Sequence, residues 1–423
     1  MRVLVITRAP WRNDNNTGNT MTNFFSDMKD VEFYNLYFRN QLPQNDIVDK
    51  SFAISEGQLV KNLLKREPIG KEICEQDEPS MDADDKLYKN AKKFGITLLM
   101  YAREIVWSIG RWKNDALRGF LDDIKPDVIF MPVFNCYYPH KVLQFVKKHT
   151  DAKVVLFHAD DNYTLKQFSI SPLYWLYRFN LRRWVKKSVS ISDVNYAISP
   201  IQKEEYEKML NKKFKLLTKG LDFSSDPNFK NEYNKPLQLV FTGNINVNRW
   251  KSLRDIAKTL EKININGTKI QMLIYTATPL TTKMKKALNI NGSSKIMGYV
   301  MSSEIPKIQK EADILVHVEA KDFKNRLKVR QSFSTKIVDY LATSRPILAY
   351  GPKTVASISY FYENNCAMVT DDVNELYEIL SKVIEDNRLL DDYVRNAFIS
   401  GRKHHNKYSL EQMLKEDFKS ACR

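Results

Sequence analysis

Short apolar segments that read as buried β-strands alternate with helical patterns along the whole chain. Parallel strands need helical crossovers, so this alternation predicts parallel sheets covered by helices on both faces. The strand-like segments form two sets: RVLVIT, VEFYNLY, DVIFMPV, KVVLFHA and YAIS in the first half, and LQLVFTG, IQMLIYT, KIMGY, ADILVHV, RPILAYG and CAMVT in the second. The sequence therefore predicts an α/β protein with two doubly wound, Rossmann-like domains.

The length of 423 residues exceeds what one ordinary core accommodates and fits two domains. We predict a first domain over residues 1–205, with a polar insertion at about 55–95, and a second domain over 206–400. Residues 401–423 read as a further, polar amphipathic helix. Because doubly wound sheets bind ligands at the carboxyl ends of their strands, the expected site is a central cleft that the two domains face.

Composition narrows the class of protein. The four cysteines are scattered without metal-ligand spacing, no apolar run reaches membrane-spanning length, and MRVLVIT is too short for a signal peptide. These features predict a cytoplasmic protein with no bound metal. The net charge of +16 suits an anionic ligand or an anionic membrane surface. Motifs of nucleic-acid binding are missing from the sequence, so we expect no nucleic-acid partner.

One hydroxyl-rich segment has the character of an anion site. The stretch RQSFSTKIVDYLATSRPILAYG places Ser334, Thr335 and Lys336 where an apolar helix begins. The first N–H groups of a helix are unpaired and its dipole favours negative charge, so a diphosphate would suit this position. An ordinary capped helix is the alternative reading.

A second cationic segment, FTGNINVNRWKSL, follows the first strand of the second domain. Gly243 and Asn244 form a tight turn, and Arg249 and Lys251 lie near the following helix start. Cations beside a glycine turn at a strand end are typical of a phosphate clamp, although they could be surface charges. Glu319, at the end of the strand in VHVEA, is a candidate catalytic residue that could bind sugar hydroxyls.

The first domain offers two candidate loops. WRNDNNTGNTM follows the first strand and places Thr17, Gly18 and Asn19 at the cleft, or else forms only a capped turn. FHADDNYT follows a later strand and places His158, Asp160 and Asp161 at its end. A histidine beside carboxylates can act in proton transfer or substrate binding, whereas an aspartate there can simply cap the next helix.

A basic and aromatic helix, LYWLYRFNLRRWVKK, favours contact with an anionic membrane. Its aromatic residues alternate with cations, as at an interfacial helix. Packing of the aromatics on the sheet, with solvated cations, is the alternative. The residues concerned are Trp175, Tyr177, Phe179 and Trp184, with Arg178, Arg182, Arg183, Lys186 and Lys187.

Three segments together, FTGNINVNRWKSL, GYVMSSEIPKIQKEADILVHVE and SFSTKIVDYLATSRPILAYG, resemble the nucleotide-sugar-binding half of GT-B-fold glycosyltransferases. The likeness is to family 4-like enzymes (glycosyl transferases group 1) of bacterial capsule and O-antigen synthesis. It implies a second domain that binds a nucleotide diphosphate sugar, a first domain that binds the acceptor, and a final helix that crosses back to the first domain.

The resemblance also implies roles for individual residues. Arg249 or Lys251, with Arg330 and Lys336, would neutralise the diphosphate, and Ser334 and Thr335 would donate hydrogen bonds to it. The backbone near Tyr299 and Val300 would read the base, and Asp339 would bind ribose. His158 falls near a histidine that contacts the donor sugar in relatives. Three positions depart from the family pattern: Gln331 and Asp339 replace glutamates, and Asn244 replaces an arginine.

These observations predict a glycosyltransferase that moves a sugar from a nucleotide diphosphate sugar to a saccharide acceptor, with retention and without a metal or other cofactor. The acceptor is expected to be polyprenyl-linked, at the inner face of the cell membrane. Two alternatives stay open: a nucleotide-sugar epimerase on the same architecture, and a non-catalytic nucleotide-sugar-binding protein.

Overall fold

The computed structural model describes residues 1–74 and 96–422. The chain forms two compact units. The first consists of Met1–Leu217 together with Ser409–Arg423, and the second of Thr218–Tyr408. Each unit is built on its own sheet and has its own hydrophobic core.

The sheet of the first unit has eight strands in the spatial order β4-β3-β2-β1-β5-β6-β7-β8. All neighbouring strands are parallel except the antiparallel pair of β3 and β4. The central strands are buried on both faces, which explains their continuous apolar sequences. The strands are β1 (Arg2–Thr7), β2 (Glu32–Tyr37), β3 (Val48–Ala53), β4 (Lys71–Ile73), β5 (Val128–Pro132), β6 (Lys153–His158), β7 (Val194–Ala197) and β8 (Lys215–Leu216).

Helices of the first unit begin at residues with strong capping chemistry. Ser55 forms a capping box with Gln58, Asn114 caps the following helix, and Ser199 precedes a proline at the first helical turn. The helices are α1 (Asn16–Phe25), α2 (Glu56–Lys65), α3 (Ile96–Ile109), α4 (Asp115–Ile124), α5 (Tyr138–His149), α6 (Pro172–Ser190) and α7 (Pro200–Leu210). The predicted polar insertion thus contains α2 and β4, while residues 75–95 lie outside the described part of the chain.

The sheet of the second unit has six parallel strands in the order β11-β10-β9-β12-β13-β14. In chain order this is 3-2-1-4-5-6, the order typical of Rossmann folds, and the chain changes direction between β9 and β12. The strands are β9 (Leu237–Thr242), β10 (Ile270–Tyr275), β11 (Ser294–Gly298), β12 (Ile314–Val318), β13 (Ile347–Tyr350) and β14 (Met368–Thr370).

Amphipathic helices cover the second sheet. The helix after β9 buries a stripe of apolar side chains spaced three or four residues apart, including Trp250, Leu253, Ile256 and Leu260. The helices are α8 (Arg249–Ile263), α9 (Thr282–Leu288), α10 (Ile305–Glu311), α11 (Phe323–Val329), α12 (Thr335–Ala342), α13 (Ala356–Glu363), α14 (Val373–Glu385), α15 (Leu390–His404) and α16 (Lys407–Cys422).

Most of helix α16 belongs to the first unit. Phe418 is buried there against Phe25 and Phe130, and the hydroxyl of Tyr196 donates to Asp417. The end of the chain is thereby fixed to the sheet of the first unit.

Both sheets confirm the predicted α/β class with two Rossmann-like folds. Among the described residues, we find no helix that combines the length and the apolar character needed to span a bilayer.

Candidate active site

The candidate site of the second unit lies where the strand order reverses. The loop after β9 contains Gly243 and Asn244 and leads to Arg249, the first residue of α8. The neighbouring strand β12 ends just before Glu319. Because a switch point opens a crevice at the carboxyl ends of the two strands, the sequence-predicted residues of these loops lie at the position where Rossmann folds bind ligands.

Arg249 and Glu319 form a two-pronged ion pair across this switch point. Nε and Nη2 of Arg249 donate to the two carboxylate oxygens of Glu319 at 2.9 and 3.0 Å. The Glu319 side chain is 2% exposed, and Ser357 donates to its Oε1 at 3.3 Å. Burial alone would raise the pKa of Glu319, but His317 and Arg249 outweigh it, so the pKa is lowered. Glu319 is therefore a buried carboxylate that fixes the arginine.

The turn that carries Arg249 has an unusual backbone. Val247 and Asn248 both adopt left-handed conformations, with φ of 53° and 60°. A β-branched residue rarely occupies this region, and such strain concentrates at functional sites. Nη1 of Arg249 also donates to the Asn244 side chain at 3.3 Å, so Asn244 supports the arginine from the turn.

Lys336 provides a second cation at the same place. Its Nζ donates to the carbonyl of Thr242, the last residue of β9, at 3.0 Å. A Cβ at Gly243 would lie 2.6 Å from this Nζ, so glycine is what allows the close approach. Burial, and then the repulsion by Arg249, lower the pKa of Lys336. A positive charge held against these costs indicates a site prepared for an anion.

The start of α12 adds hydrogen-bond donors beside Lys336. Ser334 occupies the N-cap position but its hydroxyl makes no capping hydrogen bond, and Thr335 is exposed in the first turn. Ser334, Thr335 and Lys336 are thus assembled at one helix start, as the sequence predicted. Their contact with a diphosphate stays a prediction.

Lys251 and Arg330 occupy different surroundings from Arg249 and Lys336. Lys251 lies near Asp322, whose pKa it helps to lower together with hydrogen bonds from Asn325 and Asn248 that outweigh burial. Arg330 follows α11, and its carbonyl accepts a hydrogen bond from the backbone of Ala356. Arg249 thus lies at the switch point beside Lys336, whereas Lys251 lies beside Asp322, and which of the two contacts a diphosphate stays a prediction.

The proposed nucleoside-binding residues lie on two further elements. Tyr299 and Val300 follow β11, and the Tyr299 ring is 71% exposed. Asp339 lies in α12 and forms an ion pair with Lys219. A ribose hydroxyl that binds Asp339 would have to share this carboxylate with the lysine.

His158 lies at the end of β6, as expected, and its side chain is buried. Its ring packs between Tyr206 and Phe214, with centroids 5.2 and 5.3 Å away, and neither ring nitrogen has a hydrogen-bond partner. Burial, with a smaller effect of His140, lowers the pKa of His158 to about 3. The sequence did not reveal this, because the aromatic residues come from distant segments. Contact with a donor sugar stays a prediction.

The burial of His158 predicts that acid destabilises the first unit. In the unfolded chain His158 binds a proton near the ordinary histidine pKa of 6.5, whereas in the folded chain its pKa is about 3. Stability is therefore complete above about pH 6.5 and falls as the pH is lowered towards 3. We expect His158→Leu to shift the midpoint of acid unfolding, followed by circular dichroism, to lower pH. His149→Gln, which changes a partly exposed histidine, should leave the midpoint unchanged.

The two aspartates after His158 differ. Asp160 is exposed, whereas Asp161 accepts hydrogen bonds from the backbone of Tyr163 and Thr164 and from the guanidinium of Arg178 at 3.0 Å. Arg178 is itself buried and also donates to the carbonyl of Thr164. Asp161 therefore organises the turn after β6 and anchors α6; the N-cap of α6 is Ser171, so the alternative in which Asp161 caps the next helix is wrong.

The predicted loop at Thr17, Gly18 and Asn19 is the first part of helix α1. Asn15 caps this helix by accepting from the backbone N–H of Gly18 at 2.7 Å. A Cβ at Gly18 would lie 1.9 Å from the carbonyl oxygen of Arg12. Gly18 is thus needed for close packing of the backbone.

Sequence reasoning missed the residues at the switch point of the first unit, between β1 and β5. Arg8, after β1, donates to the side chain of Asn135, after β5, at 3.2 Å. Nearby, Glu104 accepts from the backbone of Tyr137 at 2.7 Å and from the hydroxyl of Tyr177 at 3.1 Å. Burial raises the pKa of Glu104 to about 7. An isolated glutamate inside the apolar helix ITLLMYAREIVWSI was the signal that could have identified it.

Within residues 1–74 and 96–422, no group of three or more histidine, cysteine, aspartate or glutamate side chains has the arrangement of a metal site. Independence from a metal or another cofactor stays a prediction.

Residues 236–386 match the family model described as Glycosyl transferases group 1. The segment coincides with the sheet of the second unit and includes Gly243, Arg249, Glu319 and Lys336. It identifies a glycosyltransferase domain and confirms, at that level, the prediction of a glycosyltransferase. A search of curated proteins finds no match.

Solved structures of glycosyltransferases show the same fold over nearly the whole chain. HepE from Anabaena in complex with UDP is 11% identical, with a TM-score of 0.63 over 99% of this chain and 100% of that one. Sucrose-phosphate synthase from Thermosynechococcus elongatus is 10% identical, with a TM-score of 0.62 over 99% and 98%. A structure described as trehalose-6-phosphate from E. coli bound with UDP-2-fluoro glucose is 10% identical, with a TM-score of 0.62 over 99% of both chains. The chain therefore has the GT-B fold.

Proposed function

We propose that this protein transfers a sugar from a nucleotide diphosphate sugar to a saccharide acceptor, with retention and without a metal. We further propose a lipid-linked acceptor and a role in bacterial cell-surface polysaccharide synthesis, such as that of capsule or O-antigen, as the sequence resemblance implies. The observation that carries the donor part is the pair Arg249 and Lys336 at the switch point of a glycosyltransferase domain.

The chemistry of the donor explains why these cations matter. Transfer of the sugar leaves a nucleoside diphosphate, on which negative charge develops as the glycosidic bond breaks. Cations and hydrogen-bond donors stabilise such charge best when the folded protein already holds them in position. Glu319 holds the Arg249 guanidinium, and the Thr242 carbonyl holds Lys336. Ser334 and Thr335 can add hydrogen bonds from the start of α12. The two cations would supply the neutralisation that a metal provides in other enzymes.

The nucleoside would bind beside β11 and α12. We assign the base to the backbone around Tyr299 and Val300, and the ribose to Asp339. Two structures with this fold contain UDP-glucose or UDP-2-fluoro glucose, which makes UDP-sugars the first donors to test.

The acceptor would bind at the switch point of the first unit. Arg8 and Asn135 offer hydrogen-bonding groups at the carboxyl ends of β1 and β5, and Asn135 is exposed. One oxygen of the buried Glu104 carboxyl has no hydrogen-bond partner. Sugar hydroxyls both donate and accept, so this mixture of cation, amide and carboxyl suits a saccharide.

Arg249 and Lys251 carry the same charge, and the geometry predicts different effects of replacing them. We expect Arg249→Ala to lower kcat/KM for the donor by roughly 100-fold, because a fixed charge-assisted contact to the leaving diphosphate is lost. Lys251→Ala should lower it only a few-fold. Steady-state kinetics checks both, with Lys258→Ala, an exposed lysine of the same helix, as the control. Equal losses for Arg249 and Lys251 would contradict the assignment.

A turnover assay tests the function. The protein is incubated with UDP-sugars and other nucleotide sugars, with and without a lipid extract as the source of acceptor. The proposal predicts release of a nucleoside diphosphate from one donor and incorporation of its sugar into a larger product. An isomerised free nucleotide sugar would indicate an epimerase. Binding without turnover on any acceptor would indicate a non-catalytic binding protein.

A further inference from the structure

Helices α3 and α6 of the first unit expose apolar residues that belong to no described core. In α6 and the segment before it, Ile170 is 90% exposed and Leu176 is 56% exposed, and Phe168, Leu173 and Phe179 are about half exposed. Isolated exposed apolar side chains are common, but these five lie within a dozen residues of sequence. The cluster therefore marks an interaction surface.

Helix α3 extends the same surface. Leu98, Ile105 and Ile109 are each more than half exposed and are spaced by seven and four residues, which places them on one side of the helix. The hydroxyl of Tyr101 donates to the carbonyl of Leu173 at 3.2 Å, and its ring packs on Tyr177. The apolar side of α3 thus lies next to the beginning of α6.

The exposed face of α6 changes character along its length. Leu173, Leu176 and Phe179 are exposed in its first half, and Arg183, Lys186 and Lys187 are exposed in its second half. The helix contains five basic residues and no acidic residue. Within the part of the chain that the structure describes, no carboxylate pairs with Arg183, Lys186 or Lys187. The positive charge of this end is therefore available to a partner.

The aromatic residues of α6 support the same arrangement. Nζ of Lys187 lies 4.5 Å from the ring centre of Trp184, a cation–π contact that holds the lysine charge beside the indole. Trp175 lies in the apolar half and is only partly buried. An indole near a lysine is typical of residues at the boundary between lipid headgroups and acyl chains.

We propose that the apolar beginning of α6, together with the preceding Phe168 and Ile170 and the exposed side of α3, docks on an anionic lipid bilayer. The apolar residues would enter roughly 5–10 Å into the headgroup boundary, and Arg183, Lys186 and Lys187 would bind anionic headgroups. The positive charge of α6 favours lipid as the occupant. An apolar patch that continues into cations without carboxylate partners matches a bilayer surface, where acyl chains lie beneath anionic headgroups. The surface would place the first unit next to lipid-linked substrates.

The inference extends the proposed function but does not need the donor, because vesicle binding is measured without nucleotide. The full chain is sedimented with vesicles of phosphatidylglycerol and phosphatidylcholine in equal parts, and with vesicles of phosphatidylcholine alone. We expect binding to the first and little binding to the second, with the binding weakened by salt.

Two double variants separate the contributions of the cations and of the apolar residues to vesicle binding. Lys186→Gln with Lys187→Gln should weaken binding to the anionic vesicles roughly 20-fold at low salt. Leu176→Ser with Phe179→Ser should weaken it to a similar or greater extent. The matched controls are Lys258→Gln with Lys262→Gln on α8, which remove the same charge, and Ile265→Ser, which changes an exposed apolar residue of the second unit. Both controls should bind like the unchanged protein, and all variants should keep its affinity for the nucleotide sugar, measured without vesicles.

Failure to bind anionic vesicles would overturn the proposal, and so would a loss of binding that is equal in the controls. Retention on polyglutamate without vesicle binding would identify an acidic protein as the occupant and would also overturn it. Unchanged binding of the Leu176→Ser with Phe179→Ser variant would show that charge alone is responsible and would contradict docking of the apolar surface.

Discussion

Replacing Lys336 with methionine is expected to lower kcat/KM for the donor by roughly 100-fold while leaving the melting temperature unchanged or raised. Lys336 is the more informative of the two cations because its contributions to stability and to binding have opposite signs. Its charge is half-buried and faces Arg249, and both effects lower its pKa. An uncharged side chain of similar length removes this cost.

The contribution by which Lys336 stabilises the fold is small. Nζ of Lys336 makes one hydrogen bond, to the Thr242 carbonyl, and a hydrogen bond contributes on the order of 1 kcal/mol. Loss of this bond is offset by relief of the buried charge and of its repulsion by Arg249. A protein that holds a half-buried cation against this cost gains stability when an anion binds. The melting temperature should therefore rise less with donor in the Lys336→Met variant than in the unchanged protein.

Differential scanning fluorimetry with and without donor, together with steady-state kinetics, measures both effects. Lys328→Met, a change of an exposed lysine in α11, provides the control and should alter neither quantity. If Lys336→Met instead unfolds the protein and the remaining folded fraction keeps its turnover, Lys336 is structural and the anion site is misassigned.

Replacing Gly18 with alanine should destabilise the first unit by about 3 kcal/mol or more, which is among the larger effects of a single substitution. The new Cβ would lie 1.9 Å from the Arg12 carbonyl oxygen and 2.6 Å from its backbone nitrogen, so main-chain atoms would have to move. The loop has little freedom to do so. The N–H of Asn13 donates to the Gln44 carbonyl at 3.1 Å, and Trp11 is buried against Phe25.

Gly119→Ala supplies the matched control. Gly119 lies inside α4, and a Cβ there would meet nothing within 4 Å. Because glycine is less favourable than alanine in a helix, this substitution should raise stability by about 0.5–1 kcal/mol. Urea unfolding followed by circular dichroism measures both changes. Equal stabilities of the two variants would show that α1 can move away from the loop, contrary to the close packing described.

The fold was predictable from the sequence because its signals are local. Each buried strand is a short apolar run and many helices begin at a capping side chain, so the two α/β units follow from pattern alone. The grouping of Ser334, Thr335 and Lys336 was predictable for the same reason, since all three lie within one helix start.

Other parts of the site depend on contacts between distant segments. The ion pair of Glu319 with Arg249 joins residues that are 70 positions apart in the sequence, and the contact of Glu319 with a sugar stays a prediction. His158 lies at the expected strand end, but the sequence did not reveal that Tyr206 and Phe214 enclose it. Glu104 was passed over because its partner Tyr177 is 73 positions away. The spacing of residues within one segment does not indicate which residues of distant segments contact each other.

Gly18 shows a different limit of prediction from sequence. The sequence predicted Gly18 in a loop at the cleft or in a capped turn, whereas it lies in the first turn of α1. The actual constraint is the close approach of Arg12, which only the three-dimensional packing of the loop against α1 reveals.

The measurement that tests the central claim most directly is titration calorimetry of the second unit's site in the full chain, with the nucleoside, monophosphate and diphosphate of the donor's base. The account predicts that affinity rises with each phosphate, by at least about tenfold from monophosphate to diphosphate, and that Lys336→Met removes this last increase. Equal affinities for the nucleoside and the diphosphate, or an increase that survives in Lys336→Met, would contradict a diphosphate site at Arg249 and Lys336.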